Sequence, residues 1–250
     1  MSIPNFQEEN RRLAMLVDAD NIQASLIKEI IAEASRYGLV SVKRIYGDWT
    51  ADNMKSWKEI LHTHAVQPVQ QFRYTSGKNA TDSALIIDAM DILYEGAMDG
   101  FCLVSSDSDY TKLAMRIREK GKFVMGIGHK ITPKAFVNAC DVFTYTENLV
   151  TELNSKQPDK EITQPIKMEM PLSTSPLRLI KKAVDMSAGE DGWALLASVG
   201  TKLRQLDPSF DPRTYGKKQL TQLIDSFPSD FETKKKVSKA GTTVVSVRLK

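Results

Sequence analysis

The chain has 250 residues and a mass of 28.0 kDa, with 42% hydrophobic residues, 26% charged residues and a formal net charge of +3. This balance excludes a wholly disordered chain, and no apolar run approaches the roughly 18 residues of a membrane span. Charge is unevenly spread: residues 1–170 hold 20 Lys/Arg against 23 Asp/Glu, whereas residues 171–250 hold 14 against 8. Such a split predicts two modules, the C-terminal one suited to a polyanion.

The first module reads as alternating strands and helices. Leu13–Val17 is apolar throughout, as a buried parallel strand should be, and ends in Asp18-Ala19-Asp20-Asn21. Helical spacing from Ile22 to Tyr37 stops at Gly38. A strand at 39–46, a helix at 54–62 and an extended segment at 65–72 follow. Residues 81–94 are strongly periodic, with Leu85, Ile86, Ala89, Met90 and Leu93 on one face. Phe101–Val104 is another buried strand and runs into Ser105-Ser106-Asp107-Ser108-Asp109. A helix at 110–120, a strand at 123–127 and a last strand at 142–145 complete the pattern. It predicts an α/β domain with a mostly parallel sheet.

In such sheets the ligand lies beyond the carboxyl ends of the strands. Asp18 and Asp20 follow one strand, Asp107 and Asp109 follow another, and Asp82 opens a helix. Carboxylates gathered there repel one another without a cation. Taken singly, Asp18 or Asp82 is equally an N-cap, but the pair Asp107 and Asp109 is harder to explain as capping. Asp88 stands about 1.7 turns beyond Asp82 and should point elsewhere; Asp91 and Asp99 read as solvated. Cys102 and Cys140 sit in apolar stretches, which fits buried free thiols in a reducing compartment and excludes a disulfide scaffold. His62, His64 and His129 have no ligand spacing, so any metal must be held mainly by oxygen. No apolar leader opens the sequence, and the expected location is cytoplasmic.

Residues 154–176 carry four prolines and no apolar period, which sets the expected boundaries at 1–153, a linker at 154–175, and a second domain at 176–250. The second domain shows an amphipathic helix from Pro176 to Met186, a second helix over Gly192–Gly200 continuing to Leu206, and a third from Lys217 to Phe227. Alternation over 231–236 and 242–249 around Gly241 reads as a hairpin. Three helices and a hairpin form a winged-helix arrangement, used to bind nucleic acid or to dock proteins.

The motif Leu16-Val17-Asp18-Ala19-Asp20-Asn21 resembles the first motif of the NYN family, a branch of the PIN-like superfamily. Gly77-Lys78-Asn79-Ala80-Thr81-Asp82 is similar to the second and Leu103–Tyr110 to the third, in family order over residues 11–150. Ser106 departs from the Gly often found there, and Lys112 from a frequent Pro. The resemblance implies a PIN-like fold and a Mg²⁺- or Mn²⁺-dependent ribonuclease. Asp18, Asp82, Asp107 and Asp109 would then form its acidic cluster, Asn21 and Ser105 would orient it, and Lys78 would lie at its edge. Residues 175–249 resemble the OST-HTH/LOTUS domain, most specifically from Phe210 to Leu223. That resemblance implies RNA binding or, in some members, a protein partner; Lys217, Lys218, Lys234, Lys235 and Lys236 are the candidate phosphate contacts. Two other readings stay open: an RNA-binding regulator with an inactive acidic site, and an adaptor whose winged helix docks a protein.

Overall fold

Among the described residues of the N-terminal unit, strands and helices alternate. They are β1 (Arg12–Asp18), α1 (Ile27–Ala34), β2 (Leu39–Gly47), α2 (Lys55–His64), β3 (Gln67–Gln70), α3 (Ala80–Glu95), β4 (Gly100–Val104), α4 (Thr111–Glu119), β5 (Phe123–Gly128), α5 (Lys134–Ala139), β6 (Val142–Tyr145) and α6 (Thr146–Asn154). The computed structural model describes residues 11–72, 80–154, 175–237 and 243–250. Residues 155–174 of the expected linker, Lys78 and the turn at Gly241 lie outside them. The chain divides into two units at Leu153/Asn154.

Among the described residues of the N-terminal unit the five strand pairings are parallel, in the order β3-β2-β1-β4-β5-β6. The chain winds outward from β1 through β2 to β3, then returns across to β4 on the other side of β1. The carboxyl ends of β1 and β4 therefore flank the point where the winding reverses, which is where ligands bind in open α/β sheets. Continuous apolar runs suit this geometry because both faces are covered: every residue of β4 is buried. On one face Leu85, Ala89 and Leu93 of α3 pack with Leu113 and Ile117 of α4 and Phe136 of α5. On the other, Ile27 and Ile30 of α1 pack with Trp57 and Leu61 of α2 and Leu149 of α6. Cys102 and Cys140 are free and buried, and burial pushes both thiols up. No described helix is long and apolar enough to cross a membrane.

Three local departures from the sequence reading have physical causes. The helix expected from Ile22 starts only at Ile27, after a short 3-10 turn at Ala24–Leu26. Asp18 and Asn21 hold residues 18–21 in a turn, since Asp18 accepts from the Asp20 amide and from the Asn21 side chain. Helix α5 has six residues, too few to declare a period, and α6 follows β6 directly.

The C-terminal unit holds α7 (Pro176–Asp185), β7 (Ala194–Leu195), α8 (Leu196–Leu206), α9 (Leu220–Ile224), β8 (Phe231–Val237) and β9 (Thr243–Leu249). Ser175 caps α7 by accepting from the Leu177 amide, with Pro176 at the first helical position. The helix expected over Gly192–Gly200 begins at Leu196. Gly192 adopts φ +74°, a left-handed turn, and Ala194–Leu195 pairs with β9 instead. The hairpin is thus part of a three-stranded antiparallel sheet, β7-β9-β8. The third helix is shorter than expected, Leu220–Ile224 within Lys217–Phe227. Ile180, Val184, Ala194, Leu203, Leu223, Phe231 and Val247 form the core.

Candidate functional site

Asp18 is the last residue of β1 and only 1% exposed. Its Oδ1 accepts from the Asp20 amide at 3.1 Å, and its Oδ2 accepts from Asn21 Nδ2 and, at 3.1 Å, from Ser105 Oγ. Burial outweighs these bonds and pushes its carboxyl up to about 6, with the charge of Asp82 adding to the shift. Ser105, just past β4, in turn accepts from the Asp107 amide at 3.1 Å. Asp107 caps the next short turn by accepting from the Asp109 amide at 2.9 Å. One hydroxyl thus connects the ends of two neighbouring strands.

Asp82 arrives from the first turn of α3. The buried Tyr110 hydroxyl donates to its Oδ1 at 2.7 Å. Burial raises the Asp82 carboxyl despite that bond, and the charges of Asp107, Asp109 and Asp20 push in the same direction. One carboxylate oxygen from each of Asp82, Asp107 and Asp109 lies within 4.8 Å of the other two. Asp18 is not one of these three; it connects to them through Ser105. Ligands of one cation at about 2.1–2.4 Å stand no more than about 4.8 Å apart. Three hard oxygen donors at that spacing, with mutual repulsion to relieve, could hold a divalent cation.

Asp88 and Asp99 fall elsewhere. Asp88 pairs with Arg44 and accepts from the Tyr46 hydroxyl, fastening α3 to β2. Asp99 accepts from the Arg12 amide at 2.8 Å. Ser106, at the position that departs from the family pattern, accepts from the His129 amide at 2.8 Å and ties the loop after β4 to the end of β5. The sequence reading missed Tyr110 and Ser106 as parts of the site. An aromatic hydroxyl one residue beyond the last acid of the motif was the available signal for Tyr110.

In the second unit, Lys234, Lys235 and Lys236 are exposed on β8. Lys217 and Lys218 follow the turn Pro212–Tyr215, and the Lys218 amide donates to Gln222. The half-buried Trp193 has the Arg248 guanidinium 4.8 Å and the Lys234 ammonium 5.9 Å from its ring centre.

The NYN domain family matches residues 12–150, and the OST-HTH/LOTUS domain family matches residues 171–242. No curated protein matches the chain. Among solved structures, a protein of unknown function from Vibrio parahaemolyticus is 19% identical over 55% of this chain and 94% of its own, with a TM-score of 0.47. An uncharacterized protein from Nitrosomonas europaea is 27% identical over 38% of this chain and 92% of its own, with a TM-score of 0.28. A Chromobacterium violaceum protein is 29% identical over 34% of this chain and 87% of its own, with a TM-score of 0.25. The chain therefore belongs to the NYN domain family, with an OST-HTH/LOTUS domain as its C-terminal module.

Proposed function

We propose that the protein is a divalent-metal-dependent ribonuclease that hydrolyses RNA phosphodiester bonds, with its OST-HTH/LOTUS domain holding the RNA. The observation that carries this reading is the meeting of Asp82, Asp107 and Asp109 at the strand ends of an NYN domain. A protein that only bound RNA would gain nothing from concentrating negative charge there. Asp82, Asp107 and Asp109 would hold the Mg²⁺ or Mn²⁺, with Asp18 as the fourth carboxylate. Asn21 and Ser105 orient Asp18, Ser105 also fixes the Asp107 backbone, and Tyr110 aims Asp82. A bound cation supplies an acidified water and offsets charge on the leaving oxygen. Lys78 would sit at the edge of this centre, and the lysines of the second unit would meet phosphates. Two buried free thiols suit a reducing, cytoplasmic setting.

The test is cleavage of labelled single-stranded and structured RNAs in Mg²⁺, Mn²⁺ or EDTA, with Asp18→Asn and Asp107→Asn alongside. Metal-dependent cutting that both substitutions abolish is the expected result. RNA bound but uncut under every metal would overturn it and make the protein an RNA-binding regulator.

A further inference from the structure

The register of the small sheet sorts its side chains onto two faces. Directly opposed residues of an antiparallel pair share a face, and successive residues alternate. Ala194, Val247 and Thr233 are aligned; Ala194, Val247 and Phe231 of that face are buried in the core, while Thr233 is exposed beyond it. Lys235 belongs to the same face. Leu195, Ser246 and Lys234 are aligned on the opposite, solvent face, and Glu232–Arg248 and Lys236–Val244 fall there too. Trp193, one residue before Ala194, joins them, as its contacts with Lys234 and Arg248 require.

The solvent face therefore carries one large aromatic ring, the 51%-exposed Leu195, and three cations, Lys234, Lys236 and Arg248. Its acid, Glu232, is held by the Arg248 fork at 2.8 and 2.6 Å. Arg248 is thereby fixed over the Trp193 ring, and Lys234 and Lys236 are exposed side by side on alternate positions of β8. A flat ring beside a row of cations matches single-stranded nucleic acid, whose bases stack on aromatics while its phosphates meet lysines. Protein docking through this face is less suited, because a docking patch loses charged residues at its centre.

We infer that this sheet face, and not helix α9, is the RNA platform of the C-terminal domain: one base stacks on Trp193, and neighbouring phosphates meet Lys234 and Lys236. This rests on the proposed RNA-binding role of the domain and adds to it a surface, a strand state and a division among the candidate lysines. Lys235 faces the other way and is excluded from the contact.

The experiment measures binding of a fluorescent single-stranded oligouridylate to the full chain in EDTA over a salt series, with tryptophan emission followed in parallel. Trp193→Ala should weaken binding roughly 5- to 150-fold, the worth of one base–aromatic stack. Trp193→Phe keeps a ring in the sheet; it should bind within a few-fold of wild type but lose the RNA-induced quenching. The Lys234→Ala/Lys236→Ala pair should shrink the salt slope by roughly 1.4, at about 0.7 per phosphate contact, and Lys235→Ala should leave it unchanged. Wild-type binding by the Trp193 and Lys234/Lys236 variants, with loss in Lys217→Ala/Lys218→Ala, would overturn the platform and move the contact to the α9 side. If wild type itself binds no RNA, both the platform and the RNA-binding role of the domain fall.

Discussion

Asp18 and Ser105 lie 87 residues apart in sequence and are joined by a 3.1 Å hydrogen bond between the ends of β1 and β4. Because Ser105 Oγ also accepts from the Asp107 amide, the hydroxyl sets the position of a carboxylate on each side of the winding reversal. Ser105→Ala should cost about 1–3 kcal/mol of stability, since it leaves a buried carboxylate and a backbone amide short of a partner. It should also lower cleavage. Urea denaturation with parallel kinetics checks this; an unchanged midpoint would show that the hydroxyl is dispensable.

Asp18 also predicts a pH dependence. Its carboxyl is raised from 3.8 to about 6 by burial, so the folded protein holds that proton more tightly than the unfolded chain does. Without divalent ions, Asp18 therefore takes stability away as pH climbs from about 4 to about 6, and the loss is complete above that window. At 1.36 kcal/mol per unit it reaches about 3 kcal/mol at most. Asp18→Asn should gain on wild type across the same window and hold a constant gap above pH 7. Denaturation midpoints of both proteins from pH 4.5 to 8 in EDTA give the comparison; a gap independent of pH would contradict the raised carboxyl.

Mn²⁺ or Mg²⁺ should raise the melting temperature of wild type, by an amount that grows with the logarithm of ion concentration once the site is filled. Relief of repulsion among Asp82, Asp107 and Asp109 is the cause. Asp107→Asn should lose most of the rise. An equal rise in the variant would place the ion elsewhere.

Tyr110→Phe keeps the buried ring and removes only the hydroxyl that donates to Asp82 at 2.7 Å. Outer hydrogen bonds of this kind tune metal affinity by roughly 10- to 100-fold. Calorimetric Mn²⁺ titration should show weakening in that range with secondary structure unchanged. Affinity equal to wild type would mean that Asp82 is positioned by α3 alone.

Gly128 carries no chemistry, yet Gly128→Ala should be damaging. A Cβ there would stand 2.5 Å from the Ser105 carbonyl and 3.0 Å from Ser106 Oγ. Overpacking of this kind costs about 1–3 kcal/mol, and here it displaces the loop that carries Asp107. Thermal melting together with cleavage kinetics tests it; full activity at a wild-type melting temperature would show that the loop yields freely.

The sheet and the acids were legible for the same reason. A parallel strand buried on both faces writes a continuous apolar run, and the polar residues that end it stand out, as at Val17-Asp18 and Val104-Ser105. Contacts made only in three dimensions were not legible. Tyr110 reads only as the aromatic that follows the last acid of its motif until α3 brings Asp82 to its hydroxyl, and Asp88 reads only as a helix acid pointing away from Asp82 until β2 supplies Arg44 and Tyr46. The short strand at Ala194–Leu195 was hidden because its two residues also suit a helix, and only pairing with Val247 and Ser246 decides between them.

The order in which the strands enter the sheet also bears on synthesis. β1 gains its first neighbour, β2, within the first 47 residues, but its other edge waits for β4 at Gly100–Val104. Asp107 and Asp109 come later still in the chain. A product truncated before Gly100, by stalled translation or by a protease, therefore lacks two of the three clustered carboxylates and the Ser105 hydroxyl. An incomplete copy of that kind therefore carries no assembled acidic cluster.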